Sequence, residues 1–366
     1  MQNKRLNLLM LAALLSAIAA VAVSVSGSTH RADPLAGRSV LPRIKADPNA
    51  VAKVILTGPK GTITLSRGEA GWTVVEKGGY SADPQKTRRL LLGLAEITYV
   101  EPKTALPALY ARLDLDDPGK DKSQSILVEA DDPKGAVLGK LIVGKRRIDE
   151  LGGGNDGVYL RMQDDPQSWL AKGTLDLDGD VLQWLDRRFV DIPDARIKQV
   201  TIQQPDGAKI VMSREKAEDK FALKDMPADR KLKSETVLVD PATALQAFDL
   251  TDVKPAQDLP FPKDGLVVAT YETFDGLTVR VEVLKQGDAY WIKLTADGGS
   301  DEKAKAEAET LNKRWSGWVY GAGSSKGAAL ATKLEDVLEP KPAPAPAPAP
   351  GTPAPPAPAP GQTPRP

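Results

Sequence analysis

The chain changes its hydrophobic pattern twice, and each change marks a boundary. Residues 6–25 are apolar almost without a break; only Asn7, Ser16 and Ser24 interrupt them, and none is charged. A run of that length matches the roughly 30 Å of hydrocarbon that a spanning helix must cross. From residue 50 to residue 338 the pattern shortens to alternating apolar and polar positions, the period of half-buried strands. After Glu339 the alternation stops. Residues 340–366 hold 13 of the 30 prolines, mostly in Ala-Pro steps. Such a segment builds no core, favours extended polyproline II, and at about 3.1 Å per residue reaches on the order of 80 Å.

Within the alternating part the pattern occurs twice. Val54 to Arg67 and Val200 to Arg214 each read as strand, Pro-Lys-Gly or Pro-Asp-Gly turn, and return strand, which is hairpin chemistry. A further strand follows each, Trp72-Thr-Val-Val and Phe221-Ala-Leu. A helical stretch comes next, Gln85 to Glu96 and Pro241 to Phe248, the first placing Leu90, Leu91 and Leu94 on one face. A second hairpin then recurs. Ser125 to Glu129, a turn at 133–135 and Leu141 to Val143 answer Gly265 to Ala269, a turn at 275–276 and Val279 to Val283. Gly157 to Arg161 answers Ala289 to Lys293, and each copy closes on a predicted helix, 180–188 and 326–338. The predicted organisation is therefore a membrane anchor at 1–25, a tether or irregular lead-in at 26–49, α+β repeats at 50–193 and 194–339, and a proline-rich tail at 340–366. Each repeat is expected to be an antiparallel sheet with hairpins and two short helices. Whether the two share one sheet is left open by the pattern.

Lys4 and Arg5 give the apolar run a basic start, which the positive-inside rule leaves in the cytoplasm with the rest of the chain outside. Ala22-Val23-Ser24 offers a small-x-small cleavage site, so a signal peptide is the alternative; the length of the run favours an uncut anchor. The expected location is the inner, cytoplasmic membrane, single-pass, with the bulk of the chain in the periplasm or outside. Lys plus Arg and Asp plus Glu both total 49. This balance offers no basic footprint for nucleic acid. With no cysteine, disulfides, thiolate nucleophiles and lipidation at cysteine are excluded. His30 is the sole histidine and precedes the folded part, which leaves no serine triad or histidine metal site there.

Several segments together resemble the bacterial domain-of-unknown-function 4340 family: the Pro/Lys-Gly hairpin, Trp72 followed by Tyr80-Ser-Ala-Asp-Pro84, and the glycine-rich stretch from Gly152 to Arg161. Leu175 to Asp178 and Trp184 to Pro193 continue the likeness, which spans nearly all of residues 50–338. Members resemble one another as single-span envelope proteins, often encoded beside exporter-type ABC transporter genes. The resemblance implies an accessory role and supplies no catalytic residue, cofactor or metal. The Ala-Pro tail departs from the family pattern.

Four motifs mimic known sites. Gly139 to Arg146 approaches a phosphate-binding loop, but Arg146 stands where Ser or Thr would hold magnesium, and Leu141 to Val143 read as strand. Gly152, Gly154 and Gly157 fit Gly-x-Gly-x-x-Gly, yet a strand and not a helix follows. Ser213 to Lys216 fits Ser-x-x-Lys without the Ser-Asp-Asn and Lys-Thr-Gly partners of that chemistry. Asp176, Asp178 and Asp180 suggest calcium, but Val181 and Arg187 occupy the glycine and glutamate positions of an EF-hand loop, and a capped helix start explains the same letters. Trp169, Trp184, Trp291, Trp315 and Trp318 read as core, with Trp169 corresponding to Trp318. The expected function is a non-catalytic accessory or binding protein of an envelope assembly, with ABC-type transporter subunits or other envelope proteins as partners. The alternative is an envelope hydrolase or polysaccharide-binding protein using a carboxylate pair or exposed tryptophans.

Overall fold

The computed structural model describes residues 33–148 and 156–340. The predicted anchor, His30, Gly152, Gly154 and the Ala-Pro tail lie outside these residues. Among the described residues no helix is long and apolar enough to cross a membrane.

The first half opens with helix α1 (Pro42–Ala46) and a 3-10 turn (Pro48–Ala50). Nine strands follow: β1 (Lys53–Gly58), β2 (Gly61–Gly68), β3 (Gly71–Val74), β4 (Tyr80–Ser81), β5 (Thr98–Pro102), β6 (Ile126–Asp131), β7 (Val137–Arg147), β8 (Gly157–Met162) and β9 (Ser168–Lys172). Helix α2 (Pro84–Glu96) lies between β4 and β5. They form one antiparallel sheet in the order β4-β3-β2-β1-β6-β7-β8-β9-β5. The β1–β2 hairpin turns as predicted, Gly58 opposite Gly61, whose φ of 118° suits only glycine.

In the second half the strands are β10 (Arg188–Val190), β11 (Ile197–Gln203), β12 (Lys209–Ser213), β13 (Ala222–Lys224), β14 (Phe248–Asp249), β15 (Asp252–Pro255), β16 (Val267–Thr273), β17 (Thr278–Gln286), β18 (Ala289–Asp297) and β19 (Trp318–Ala322). Its helices are α3 (Val239–Ala242), α4 (Glu302–Trp315), α5 (Ser324–Leu330) and α6 (Leu334–Val337). The large sheet runs β13-β12-β11-β16-β17-β18-β19-β15. Strand for strand this is the order of the first sheet from β3 to β5. The sheets do not merge; β10 and β14 form a separate two-stranded ladder. The class is α+β, dominated by antiparallel sheet.

The structure corrects four local expectations. Residues 40–49 do not form a tether: Val40, Leu41 and Ile44 are buried, and α1 packs on α2. The predicted helix at 180–188 is reduced to a 3-10 turn (Val181–Trp184), because Leu185 bridges Ala82 and the Asp186 N–H donates to the Ser81 carbonyl at 2.9 Å, drawing the chain into extended form. The helix at 241–248 stops at Ala242; Ala247 takes φ 46° and Phe248 turns away to pair with Val190. The helix expected over 326–338 is broken into α5 and α6. Helix α4 was not anticipated. It is rich in charged residues, and only Ala304, Ala308, Leu311 and Trp315 mark its inner stripe, with Asp301 capping it by accepting the Lys303 and Ala304 N–H groups.

One hydrophobic core runs through both halves. At the seam, Tyr80 meets Trp318 edge-on at 5.0 Å and Tyr320 at 6.1 Å, while Phe189 stacks on Tyr320 at 4.2 Å. The Trp315 indole N–H donates to the Phe189 carbonyl at 3.0 Å. Polar links cross the same seam: Lys77 to Asp252 at 2.6 Å and Arg314 to Asp186 at 2.8 Å. A second, smaller core of Tyr110, Leu115, Ile142, Tyr159 and Leu170 is separate from it. Trp315 is 2% exposed, so Trp315→Ala is expected to cost about 3–5 kcal/mol. Urea unfolding followed by far-UV circular dichroism measures this; a loss below about 1 kcal/mol would contradict the seam's place in the core.

Candidate functional site

The sequence motifs settle into structural roles. Gly139 and Gly144 lie inside β7. A methyl at Gly139 would sit 2.6 Å from the side chain of Leu41, the residue that leads into α1, and one at Gly144 would sit 2.1 Å from the Leu113 carbonyl. These glycines let α1 and the 107–115 segment cross the strand. Gly157 opens β8, a strand, as the pattern after the glycine-rich stretch predicts. Ser213 ends β12 opposite Ala222. Asp180 caps the 3-10 turn by accepting the Leu182 N–H at 3.0 Å, and Asp178 accepts the Asp180 N–H at 2.9 Å. Among the described residues no group of three or more metal-type ligands converges. Trp169, Trp184, Trp291 and Trp315 are buried, and Trp318 is half-buried against the core. Trp169 and Trp318 each lie opposite the proline that ends an edge strand, Pro102 and Pro255 respectively.

The most open chemistry lies beside α2. Asp83 caps this helix, accepting the Gln85 N–H at 2.8 Å and the Lys86 N–H at 3.0 Å, with Pro84 in the first turn. Leu90, Leu94 and Ala95 face the core. Lys86 is buried with its ammonium 4.6 Å from the Trp184 ring. The outer face carries Arg88, Arg89 and Leu92, the last 43% exposed.

Leu92 is a ridge between two grooves. One, of about 520 Å³, lies between α2, the Pro48–Ala50 turn and the β2–β3 hairpin, lined by Asn49, Arg67, Trp72, Arg88, Leu91 and Asp186 among others. The other, of about 560 Å³, passes Arg89, Glu96, Arg146, Lys172 and Asp176. In the first groove Arg67 lies over the Trp72 ring at 5.2 Å and donates to the Asn49 carbonyl at 2.8 Å. Arg67 and Trp72 face each other across the hairpin. The Arg88 guanidinium has no hydrogen bond or ion pair among the described residues. The one carboxylate, Asp186, is held by Arg314 at 2.8 Å, and burial pushes its carboxyl above the ordinary carboxylate range. Two guanidiniums beside an indole and a leucine wall suit the binding of a ligand that is anionic at one end and apolar at the other.

A family model described as a domain of unknown function, DUF4340, matches residues 72–264. The chain belongs to this family. The DUF4340 match is narrower than the resemblance over 50–338; it begins at Trp72 in the groove and ends before β16. No curated protein and no solved structure matches the chain. For this DUF4340 protein, sequence reasoning passed over Arg67 and Arg88. The hairpin register, Arg67 opposite Trp72 through a Gly68–Gly71 turn, was the available signal for the first; nothing local marks the second.

The Asp186 environment has a pH consequence. An unfolded aspartate ionises at about 3.9. Between that value and the raised folded one, the folded protein holds a proton that the unfolded chain has released. The stability due to this proton is thus full at lower pH and is lost as pH rises through the raised folded value. Relative to the wild type, Asp186→Asn should therefore gain stability as pH rises from about 4 to the raised folded value, and no further above it. Urea titrations across pH measure the difference; a difference independent of pH would contradict the assignment.

Proposed function

We propose that this protein is a membrane-anchored, outward-facing accessory or binding module of a bacterial envelope assembly, built from two tandem α+β copies. The matching strand order of the two sheets supports a duplication. The basic start and apolar run at 4–25 support an inner-membrane, single-pass anchor with the folded part in the periplasm or outside. The family resemblance favours subunits of an ABC-type exporter as the partner class.

The groove beside α2 carries the binding reading. A solvent-facing leucine, an arginine with no partner among the described residues and a second arginine laid on an indole meet on one face. Arginine and tryptophan are the side chains that most often dominate binding energy at interfaces. The Ala-Pro tail adds reach rather than a contact of its own.

Solubilising membranes in mild detergent and identifying what co-purifies tests this reading. The expected outcome is recovery with membrane transporter subunits, reduced by Leu92→Glu with Arg88→Glu. Recovery as a lone monomer, under conditions that keep other membrane complexes together, would contradict it.

A further inference from the structure

The two halves treat one arginine differently. Val54 faces Leu65 across the first hairpin, and Val200 faces Met212 across the second, so Arg67 and Arg214 hold the same register position. Their backbones agree: the Arg67 N–H donates to the Ala52 carbonyl at 2.8 Å, and the Arg214 N–H to the Lys198 carbonyl at 3.0 Å. Both guanidiniums lie over the aromatic ring of the next strand segment, Trp72 at 5.2 Å and Phe221 at 4.3 Å. Both reach back to the 3-10 turn that leads into the first strand, Pro48–Ala50 and Asp194–Arg196.

The turn's first residue then separates them. In the second half it is Asp194, whose carboxylate takes the Arg214 guanidinium at 3.1 Å while the Ile197 carbonyl accepts from Nε at 2.9 Å. Arg214 is thereby satisfied and buried. In the first half the same position is Pro48, which has no carboxylate. Arg67 finds only the Asn49 carbonyl and stays exposed at the groove. The neighbouring Asp47 carboxylate instead accepts the Asn49 N–H at 3.0 Å. Arg88 adds a second positive charge to the same space.

We propose that the groove beside α2 takes a carboxylate borne on an apolar body, its oxygens meeting Arg67 and Arg88 where the second half supplies Asp194, and its apolar part lying along Leu91, Leu92 and Trp72. The inference rests on the groove being the binding surface described above, and names the chemistry of its ligand. A carboxylate on guanidinium forms charge-assisted, frequently bidentate hydrogen bonds, and the indole and leucines reward the removal of apolar area from water. Two sources have this chemistry, the free C-terminus of an apolar peptide and a short fatty acid.

The test uses the full chain in detergent and a dye-labelled peptide ending in three leucines, as free acid and as amide, read by fluorescence anisotropy. The acid is expected to bind and the amide to bind at least roughly tenfold more weakly. Arg67→Gln should lower acid binding by a similar factor. Pro48→Asp, which installs the second half's own carboxylate, should do the same while leaving the thermal midpoint unchanged or raised, so lost binding is not lost folding. Octanoate that displaces the peptide, with octanol failing to, identifies the fatty-acid source; peptide binding that octanoate leaves intact identifies the C-terminus. Equal binding of acid and amide, no binding of either, or a Pro48→Asp variant that binds like the wild type overturns the carboxylate assignment. Because those readings use no partner protein, they are separable from the co-purification result, which stands or falls on its own.

Discussion

The two sheets depend on a shared aromatic seam. Tyr80 leaves the short edge strand of the first sheet and packs on Trp318 and Tyr320 of the second, and Phe189, from the segment joining the halves, stacks on Tyr320. Neither half has a closed core without the other, because Trp315, Phe189 and Phe248 are buried at or next to this contact. Aromatic side chains bury large areas, and edge-on or offset pairs add to that burial. The polar links, Lys77 to Asp252 and Arg314 to Asp186, fix register across the seam more than they stabilise it.

This constraint also places the groove. The turn from Tyr80 through Asp83 that feeds the seam starts α2, so the helix that walls the groove is held by the same contact. Asp186 stands between them, ionically tied to Arg314 of α4 on one side and lining the groove on the other. A ligand on α2 would thus touch a helix whose first turn is anchored at the joint between the halves.

Much of the strand content was legible because hairpin turns announce themselves. Gly58-Pro59-Lys60-Gly61 and the alternation on both sides fix β1 and β2, and the same letters near Pro205-Asp206-Gly207 fix β11 and β12. Helix α2 showed through Leu90 and Leu94 at helical spacing. Elements that owe their form to distant partners were hidden. The 180–188 segment carries a helical pattern, but Ala82 and Ser81, a hundred residues away, hold it extended. Helix α4 buries alanine rather than leucine, so its stripe is faint. The glycines of β7 looked like a phosphate loop because sequence does not reveal that Leu41 and Leu113 cross there. The groove was invisible for a related reason: Pro48, Arg67 and Arg88 are far apart in the chain, and the missing carboxylate at Pro48 becomes informative only beside Asp194.

The central claim is that the two sheets form one cooperative body through the seam. Equilibrium unfolding in urea, with hydrogen exchange read separately at β1–β9 and at β11–β19, tests it most directly. A single coincident transition, with both sheets losing protection together, is the predicted result. Two separated transitions, with one sheet protected after the other has opened, would contradict it.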